Sequence, residues 1–557
     1  MGLFKTALVA LCILQSTILS QAIVFPQQDS ITFRSKATAE LPDLYEASVT
    51  ELQDGLDADL FTSVDLVKAY FARIDEVNLK GPALRAIIET NPSALEQAAA
   101  LDAERKTTGK RSLLHGIPVL LKDNIATIAS EGMNTTAGSF SLLGSIVPDD
   151  AGVVKRLRAA GAIILGKANL SEFAHFRGSL ASGWSGRGGQ CTGAFFPNAD
   201  PCGSSSGSGV GSSIGLTAVA LGSETDGSIT CPTSQNNLAG IKPTVGLTSR
   251  AGVVPISANQ DTIGPMVRSI SDAAIVLSII AGPDPNDNFT LAQPTPVPDY
   301  TLALNKTALA GKRIGVPRRG FTDRTQADVL AAFETALDTI RGLGATLVDP
   351  ADLPDIDEIR SSGNESVVLD TDFKVQLNEY YESLIENPSG VRSLADLIAF
   401  NDANPELEEP TNFTSQSTLI ASQRTNGFND AYFQSLAFNR ELGGARGIDA
   451  ALAEFDVDAL ITPASVAAGV PAIAGYPIVT VPLGFFPDNV TIRSAGPLTV
   501  FPAPGAPFGL SFLGTAFSEF NLIGFAFAYE QATMTRLERR AFEAAIPKTQ
   551  LGDVIEA

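Results

Sequence analysis

Histidine is almost absent from this chain, which contains only His115 and His175. Residues 203–207 read GSSSG and match the Gly-x-Ser-x-Gly turn that carries the nucleophile of α/β-hydrolases. That fold needs a histidine later in the chain, because its triad runs in the order serine, acid, histidine. Both histidines precede residue 203, so this way of activating a serine is excluded.

Cysteine is also scarce, with four residues in the whole chain. Cys12 lies in a predicted leader, which leaves Cys191, Cys202 and Cys231. Three cysteines allow at most one internal disulfide, so the sequence is not a disulfide framework. A bridge from Cys191 to Cys202 and packed free thiols remain equally open. Together with two histidines, these scattered cysteines lack the ligand spacing of a zinc site.

Basic runs and long hydrophobic runs are missing as well. The formal net charge is −22, from 61 acidic and 39 basic residues, and no cluster of Lys or Arg interrupts it. Such a chain is repelled by nucleic acid and by anionic membrane surfaces. No stretch reaches the roughly 18 apolar residues that a membrane-spanning helix needs. We therefore expect neither a nucleic-acid partner nor a membrane partner.

The first 22 residues have the pattern of a signal peptide. Lys5 supplies a positive start, residues 7–14 are apolar, and Ser20 and Ala22 are the small residues of a cleavage site. We predict a secreted or vesicular protein whose mature part, residues 23–557, is one domain.

The secretory route predicts N-glycosylation at exposed Asn-x-Ser/Thr sites. Asn169 also fits this pattern, but its neighbours predict a buried turn, and we expect it to stay unmodified. The candidate acceptor sites are Asn134, Asn288, Asn305, Asn364, Asn412 and Asn489.

Helix and strand patterns alternate near the start of the domain. Apolar residues recur at helical spacing over residues 62–77, and Thr62 and Asp65 can cap that helix. Residues 117–121 are apolar, which predicts a short buried strand that ends at Lys122.

A second helix is predicted over residues 153–160, with Gly161 as its end and a strand over residues 162–165. Such alternation favours an α/β sheet whose faces are covered by helices.

Strand character returns late in the chain, over residues 458–463 and 476–482. Strands at both ends favour one interwoven domain. Residues 284–298 are rich in Pro, Asp and Asn and are the best linker candidate, and the polar, helix-like region 350–440 is a candidate for substrate-specific elements.

Two Ser/Gly-containing segments and one lysine carry the chemistry. Residues 203–208 read GSSSGS, residues 224–229 read ETDGSI, and Lys122 ends an apolar strand. A Ser/Gly stretch alone is typical of a flexible linker, and a lone lysine of a surface position. Together they supply a nucleophile, a second hydroxyl, an amine base and a loop of backbone N–H donors. This set indicates acyl transfer without histidine.

These segments resemble the amidase signature family. The lysine segment HGIPVLLKDN (115–124), the segment PCGSSSGS (201–208) and the segment DGSITCP (226–232) all fit its motifs, and the resemblance extends over about residues 48–535. It implies a large mixed central β-sheet covered by helices on both faces. It also implies hydrolysis of small-molecule or peptide amides by a Ser–cis-Ser–Lys triad, without a metal or organic cofactor.

The resemblance assigns a task to each triad position. Ser228 is the nucleophile that forms a seryl acyl-enzyme. Ser204 is the relay serine on a cis peptide, and Lys122 is the base. A lysine serves as a base only when neutral, which requires burial to lower its pKa.

Four further residues support the triad in this comparison. The backbone N–H groups of Thr225, Asp226 and Gly227 are expected to stabilise the oxyanion, as donors of this kind do in acyl transfer. Ser205 is expected to help orient Lys122.

The loop ETDGSIT (224–230) departs from the commonest family pattern, which has a second glycine and an arginine. It resembles the branch that contains bacterial peptide amidase, which deamidates C-terminal peptide amides. Asp226 either recognises the substrate or fixes the loop. The alternative functions are a catalytically silent protein with the amidase fold and an amidotransferase-type subunit.

Overall fold

The computed structural model describes residues 40–555, apart from the side chain at position 324. The predicted signal peptide, residues 1–22, and the first residues of the predicted mature domain lie outside the described residues. From Leu41 onward, the described chain forms one compact unit.

Eleven strands form one mixed sheet, in the order β1-β3-β2-β6-β8-β7-β12-β13-β11-β9-β10, and β4 and β5 form a separate hairpin. The strands are β1 (Ile87–Thr90), β2 (Pro118–Lys122), β3 (Ile163–Ala168), β4 (Trp184–Ser185), β5 (Gly189–Gln190), β6 (Val219–Glu224), β7 (Ala239–Lys242), β8 (Thr262–Val267), β9 (Arg313–Gly315), β10 (Thr346–Val348), β11 (Ala459–Pro463), β12 (Ile478–Phe485) and β13 (Pro507–Leu513). Every residue of β2, β3, β6, β7, β8, β11 and β13 is buried, so helices and loops cover both faces of the central strands. This confirms the predicted fold class.

Helices account for most of the remaining regular structure. They are α1 (Val49–Asp57), α2 (Ser63–Val77), α3 (Ala94–Thr108), α4 (Gly152–Ala159), α5 (Ser206–Ser213), α6 (Thr230–Gln235), α7 (Ile270–Ile280), α8 (Ala327–Gly342), α9 (Ile356–Ser361), α10 (Asn364–Ser383), α11 (Leu394–Ala403), α12 (Pro405–Glu408), α13 (Ser417–Gln423), α14 (Asp430–Arg440), α15 (Asp449–Glu454), α16 (Gly469–Ala474), α17 (Glu519–Thr533) and α18 (Leu551–Ile555). Among the described residues, no helix combines the length and the apolar composition needed to cross a bilayer.

The helix predicted over residues 62–77 is α2, and the hydrogen bonds at its N-terminus explain why it begins there. Thr62 accepts a hydrogen bond from the backbone of Asp65, and the Asp65 side chain accepts one from the backbone of Thr62. This reciprocal capping box satisfies two N–H groups that have no partner within the helix. The predicted helix before Gly161 is α4, and the predicted strands at 117–121 and 162–165 are β2 and β3.

Strand β2 lies between β3 and β6 and runs parallel to both. Parallel strands bring their carboxyl ends to the same edge of a sheet. Lys122 is the last residue of β2 and Glu224 is the last residue of β6. This edge therefore collects the lysine segment and the start of the 224–230 loop.

The Ser/Gly stretch is an ordered element and not a linker. Residues 206–213 form helix α5, and all eight are buried. A Cβ atom on Gly207 would lie 2.1 Å from the carbonyl oxygen of Ala86, so only glycine allows this close approach. Small residues let α5 pack tightly beside the sheet.

The linker predicted over residues 284–298 is wrong. Asp287 forms an ion pair with Arg250 at 2.6 Å, and Thr290 and Gln293 are buried. The Pro and Asn content of this stretch reflects tight turns against the body of the protein.

The glycosylation candidates differ in accessibility. Asn134 donates to Glu89, and Asn364 accepts from Ser435, so both side chains are engaged. Asn169 is fully buried, as the sequence indicates. The exposed candidates are Asn288, Asn305, Asn412 and Asn489. Glycosylation stays a prediction.

Candidate active site

Lys122 and Ser204 are in direct contact at the carboxyl edge of β2. The Nζ atom of Lys122 lies 2.7 Å from Oγ of Ser204 and donates to the carbonyl of Ser223 at 3.0 Å. Lys122 is completely buried, and burial lowers its pKa to about 7, although Asp261 and Glu224 act in the opposite direction. Near neutral pH, a large fraction of this lysine is an uncharged amine that can accept a proton.

Ser204 follows a cis peptide bond with Gly203, as the family resemblance implies. Its carbonyl accepts the backbone N–H of Ser171 at 3.0 Å. The Ser205 hydroxyl makes no hydrogen bond to Lys122. It donates to the Ser223 carbonyl at 3.0 Å, the same oxygen that accepts from Lys122. Ser205 therefore acts on the position of Lys122 indirectly, through the carbonyl oxygen of Ser223, to which both side chains donate.

Ser228 lies on the neighbouring segment. The Ser205 N–H donates to the Ser228 carbonyl at 3.1 Å, so the two serine-bearing segments touch through their backbones. The Ser228 side chain lines a cavity of about 420 Å³ and has no hydrogen-bond partner within residues 40–555. Catalytic hydrogen bonds often close only when a substrate is bound.

Glu224 is the functional side chain that sequence reasoning missed. It is 1% exposed, and its carboxylate accepts the backbone N–H groups of Gly227 at 2.9 Å and of Ile229 and Thr230 at 2.7 Å each. A buried carboxylate needs such partners, because desolvation without them is costly. A glutamate at the end of an apolar strand was the available signal. Glu224 fixes the loop that carries Ser228.

This contact changes the set of candidate oxyanion donors. The Gly227 N–H donates to Glu224, so the predicted role of Gly227 as an oxyanion donor is not supported. Among the described residues, the N–H groups of Thr225, Asp226 and Ser228 have no acceptor. The role of Gly227 is conformational, since its φ of +81° is a left-handed value that glycine adopts without strain.

A second carboxylate holds the start of the same loop. The Thr225 hydroxyl donates to Asp261 at 2.6 Å, and the other Asp261 oxygen accepts from the backbone of Ile256 and Ser257. Asp226, in contrast, is exposed to the cavity, and its carboxyl makes no hydrogen bond with a described residue. The loop is fixed without the Asp226 side chain, which favours the recognition hypothesis over the structural one.

The cavity beside Ser228 has few ionisable groups in its wall. Among its described lining residues, the ionisable side chains exposed to it are His175 and Asp226. Its lining residues are Ala174, His175, Phe176, Gly178, Ser179, Ser182, Gly203, Thr225, Asp226, Ser228, Ile256, Leu369 and Thr418. No group of three or more potential metal-ligating residues occurs among the described residues.

The disulfide candidate from Cys191 to Cys202 is wrong. Cys202 is bonded to Cys231, 29 positions away, and Cys191 is a buried free thiol. The fold brings the segment before Ser204 against α6, which begins just after Ser228, and leaves Cys191 near the β5 end of the hairpin. The disulfide therefore joins the two serine-bearing segments covalently.

Removing this disulfide should destabilise the protein. In a chain-entropy model, a cross-link closing a loop of about 30 residues contributes about 3 to 4 kcal/mol. We expect the double variant Cys202→Ala/Cys231→Ala to lose about 2 to 4 kcal/mol in urea unfolding. Cys191→Ala is the control: it keeps the Cys202–Cys231 bond, so it should lose less stability, and reductant should destabilise it as it destabilises the unsubstituted protein, whereas the double variant should not respond to reductant. Equal stability of the double variant and the unsubstituted protein would contradict a structural role of the bond.

Comparison with known proteins gives this geometry a family context. The amidase family model matches residues 65–523. A probable amidase of Arabidopsis thaliana is 42% identical over 93% of this chain and 96% of that protein. The structure of native peptide amidase from Stenotrophomonas maltophilia is similar with a TM-score of 0.80 and 42% identity, over 91% of this chain and 99% of that one. A putative amidase of Arthroderma benhamiae is 39% identical over 94% of this chain and 92% of that protein.

Proposed function

Since the chain belongs to the amidase family and hydrolyses amide C–N bonds, we propose that it acts through a seryl acyl-enzyme formed by Ser228, Ser204 and Lys122. The observation that carries this proposal is the 2.7 Å contact between a buried lysine and Ser204, on a segment that touches the Ser228 segment. A serine hydroxyl is a weak nucleophile at neutral pH and needs a base within reach.

The first half-reaction moves one proton along the triad. The Ser228 hydroxyl passes its proton to Ser204 as its oxygen attacks the amide carbonyl, and Ser204 passes its own proton to the neutral amine of Lys122. The carbonyl oxygen becomes negative and accepts hydrogen bonds from the free N–H groups of the 225–228 loop. Lys122 then returns the proton through Ser204 to the departing nitrogen, which leaves as ammonia or an amine.

The second half-reaction repeats the relay with water. Water passes one proton through Ser204 to Lys122 as its oxygen attacks the acyl-enzyme carbonyl. Lys122 then returns that proton through Ser204 to the Ser228 oxygen as the bond to the acyl group breaks, and the released acid loses its own proton to solvent to give the carboxylate. The buried environment of Lys122 serves both halves, because its pKa of about 7 lets it accept and return a proton at neutral pH.

Primary amides at the C-terminus of peptides are the substrates that we favour. The support is the 42% identity to a peptide amidase over 91% of this chain, together with the ETDGS form of the loop, which resembles the branch that contains bacterial peptide amidase. The isolated chain should release ammonia from a peptide amide. An amidotransferase-type subunit would need partner chains and a charged tRNA, which a net charge of −22 repels.

Secretion is part of the proposal. The predicted signal peptide supports it, and so does the Cys202–Cys231 disulfide, because such bonds persist in oxidising compartments and are rare in the cytosol. Mass spectrometry of the mature protein from culture medium would test it. An N-terminus beginning at residue 23 is the expected result.

A fluorophosphonate probe tests the nucleophile. We expect one covalent adduct at Ser228, mapped by peptide mass spectrometry, and loss of both labelling and amide turnover in Ser228→Ala. Ser206→Ala is the matched control, because its hydroxyl donates to the Cys202 carbonyl and lies outside the proposed triad. A silent binding protein would give no adduct, and labelling that survives in Ser228→Ala would point to a different nucleophile.

A further inference from the structure

Asp226 stands apart from the rest of its loop. Glu224 holds Gly227 and the residues after Ser228, and Asp261 holds Thr225. The Asp226 carboxyl joins neither network and is exposed to the cavity beside Ser228. An accessible carboxyl without a protein partner is available to a bound molecule.

The surroundings of Asp226 are acidic. Glu365, which accepts from Gln260 at 2.9 Å, and Glu224 lie close enough to disfavour its ionisation. Burial by the cavity walls is the largest cause, and these two acids add to it, so that the pKa of Asp226 rises to about 8. The nearby cation is Lys242, whose ammonium donates to the backbone carbonyls of Tyr476 and Pro243.

No compensating cation faces the cavity among the described lining residues. None of them is Lys or Arg, and burial lowers the pKa of His175, which keeps that imidazole neutral near pH 7. A carboxylate bound here would face Asp226 with nothing to neutralise it. An ammonium group would face a carboxyl that can pair with it.

We propose that Asp226, in its ionised form, sets the charge specificity of the site: it disfavours amides that carry a carboxylate next to the scissile bond and favours amides that carry an amine there. This inference rests on the proposed function, because it places the scissile amide at Ser228. It also concerns the reaction product. Hydrolysis turns a neutral amide into a carboxylate, and above about pH 8, where Asp226 is ionised, like-charge repulsion favours release of that product.

Binding measurements test this without relying on turnover. In the Ser228→Ala background, isothermal titration would give Kd values for the α-amides of N-acetyl-lysine, N-acetyl-methionine and N-acetyl-glutamate. At about pH 9, Asp226 is ionised and the lysine side chain is still charged. We expect the lysine amide to bind at least about tenfold more tightly than the glutamate amide, as one close charge pair permits.

Adding Asp226→Asn should reduce this preference to about threefold or less and should weaken its increase between about pH 6 and pH 9, leaving the part that comes from Lys242, whose pKa burial lowers to about 8. Asp456→Asn removes the same formal charge from a side chain that is 95% exposed, and it should leave the preference unchanged. A preference that persists in Asp226→Asn, or an equal loss in Asp456→Asn, overturns the inference. No binding of any of the three amides overturns it as well. Failure of the unsubstituted protein to hydrolyse amides would instead contradict the proposed function.

Discussion

Replacing Lys122 with methionine lowers kcat/KM for amide hydrolysis by at least about a thousandfold, because the substitution removes the base that contacts Ser204 at 2.7 Å. Methionine suits the completely buried position, and it removes an amine that burial makes costly to charge. The variant should therefore fold. Steady-state kinetics with a peptide amide, combined with a thermal melt, measures both effects.

Lys167 provides the matched control. It is a buried lysine on the adjacent strand β3, burial lowers its pKa to about 8, and it donates to the Ile125 carbonyl at 2.6 Å. Lys167→Met should lower stability, because it leaves that carbonyl without a partner, while losing far less activity than Lys122→Met. Comparable rate losses in the two variants would show that burial of a lysine matters and not its contact with Ser204.

The pH profile follows from the same residue. Lys122 acts as a base only when deprotonated, so kcat/KM should rise from acid towards pH 7 and level off above about pH 8, given its pKa of about 7. The residual activity of Lys122→Met should lack this rise of kcat/KM between acid and neutral pH. A profile that stays flat down to about pH 4 would remove Lys122 from the mechanism.

The second large effect is expected at Glu224. Glu224→Gln replaces one of the two accepting oxygens with an NH₂ group that cannot accept. Depending on the orientation of the amide, either the Gly227 N–H or the N–H groups of Ile229 and Thr230 lose their acceptor. The loop must then shift, and displaced oxyanion donors typically cost about a hundredfold in kcat. We expect that loss mainly in kcat, with a lower melting temperature from the unsatisfied N–H groups.

Glu519→Gln is the control that separates the loss of kcat from the loss of stability. Glu519 is also a buried glutamate, and it accepts the Thr244 backbone N–H at 2.6 Å outside the 224–230 loop. Its substitution should lower stability and leave kcat within a few-fold of the unsubstituted protein. A wild-type kcat in Glu224→Gln would mean that the loop keeps its shape without this carboxylate.

The sequence was sufficient where function depends on short motifs. The strand over residues 117–121 predicts where Lys122 is delivered, and the capping pair Thr62 and Asp65 predicts where α2 begins. These features are local, since a strand end and a capping box need only neighbouring residues. The family resemblance supplied the remaining positions at the site.

The sequence failed where a partner comes from elsewhere in space. The role of Glu224 depends on three N–H groups that the loop turns back towards it, and the engagement of Gly227 follows from that turn. The pairing of Cys202 with Cys231 depends on the packing of α6 against the segment before Ser204. Neither the contacts of Glu224 nor this cysteine pairing can be inferred from the spacing of residues along the chain.

Because of the bond between Cys202 and Cys231, the arrangement of the catalytic centre depends on the redox state of the compartment, which the triad residues alone would not sense. One sulfur lies two positions before the relay serine and the other three positions after the nucleophile, so the mutual placement of the two hydroxyls is completed by thiol oxidation. A newly made chain in a reducing cytosol would hold the same residues in a looser arrangement. On the secretory route that we propose, an oxidising compartment would thus complete the catalytic centre by forming this bond.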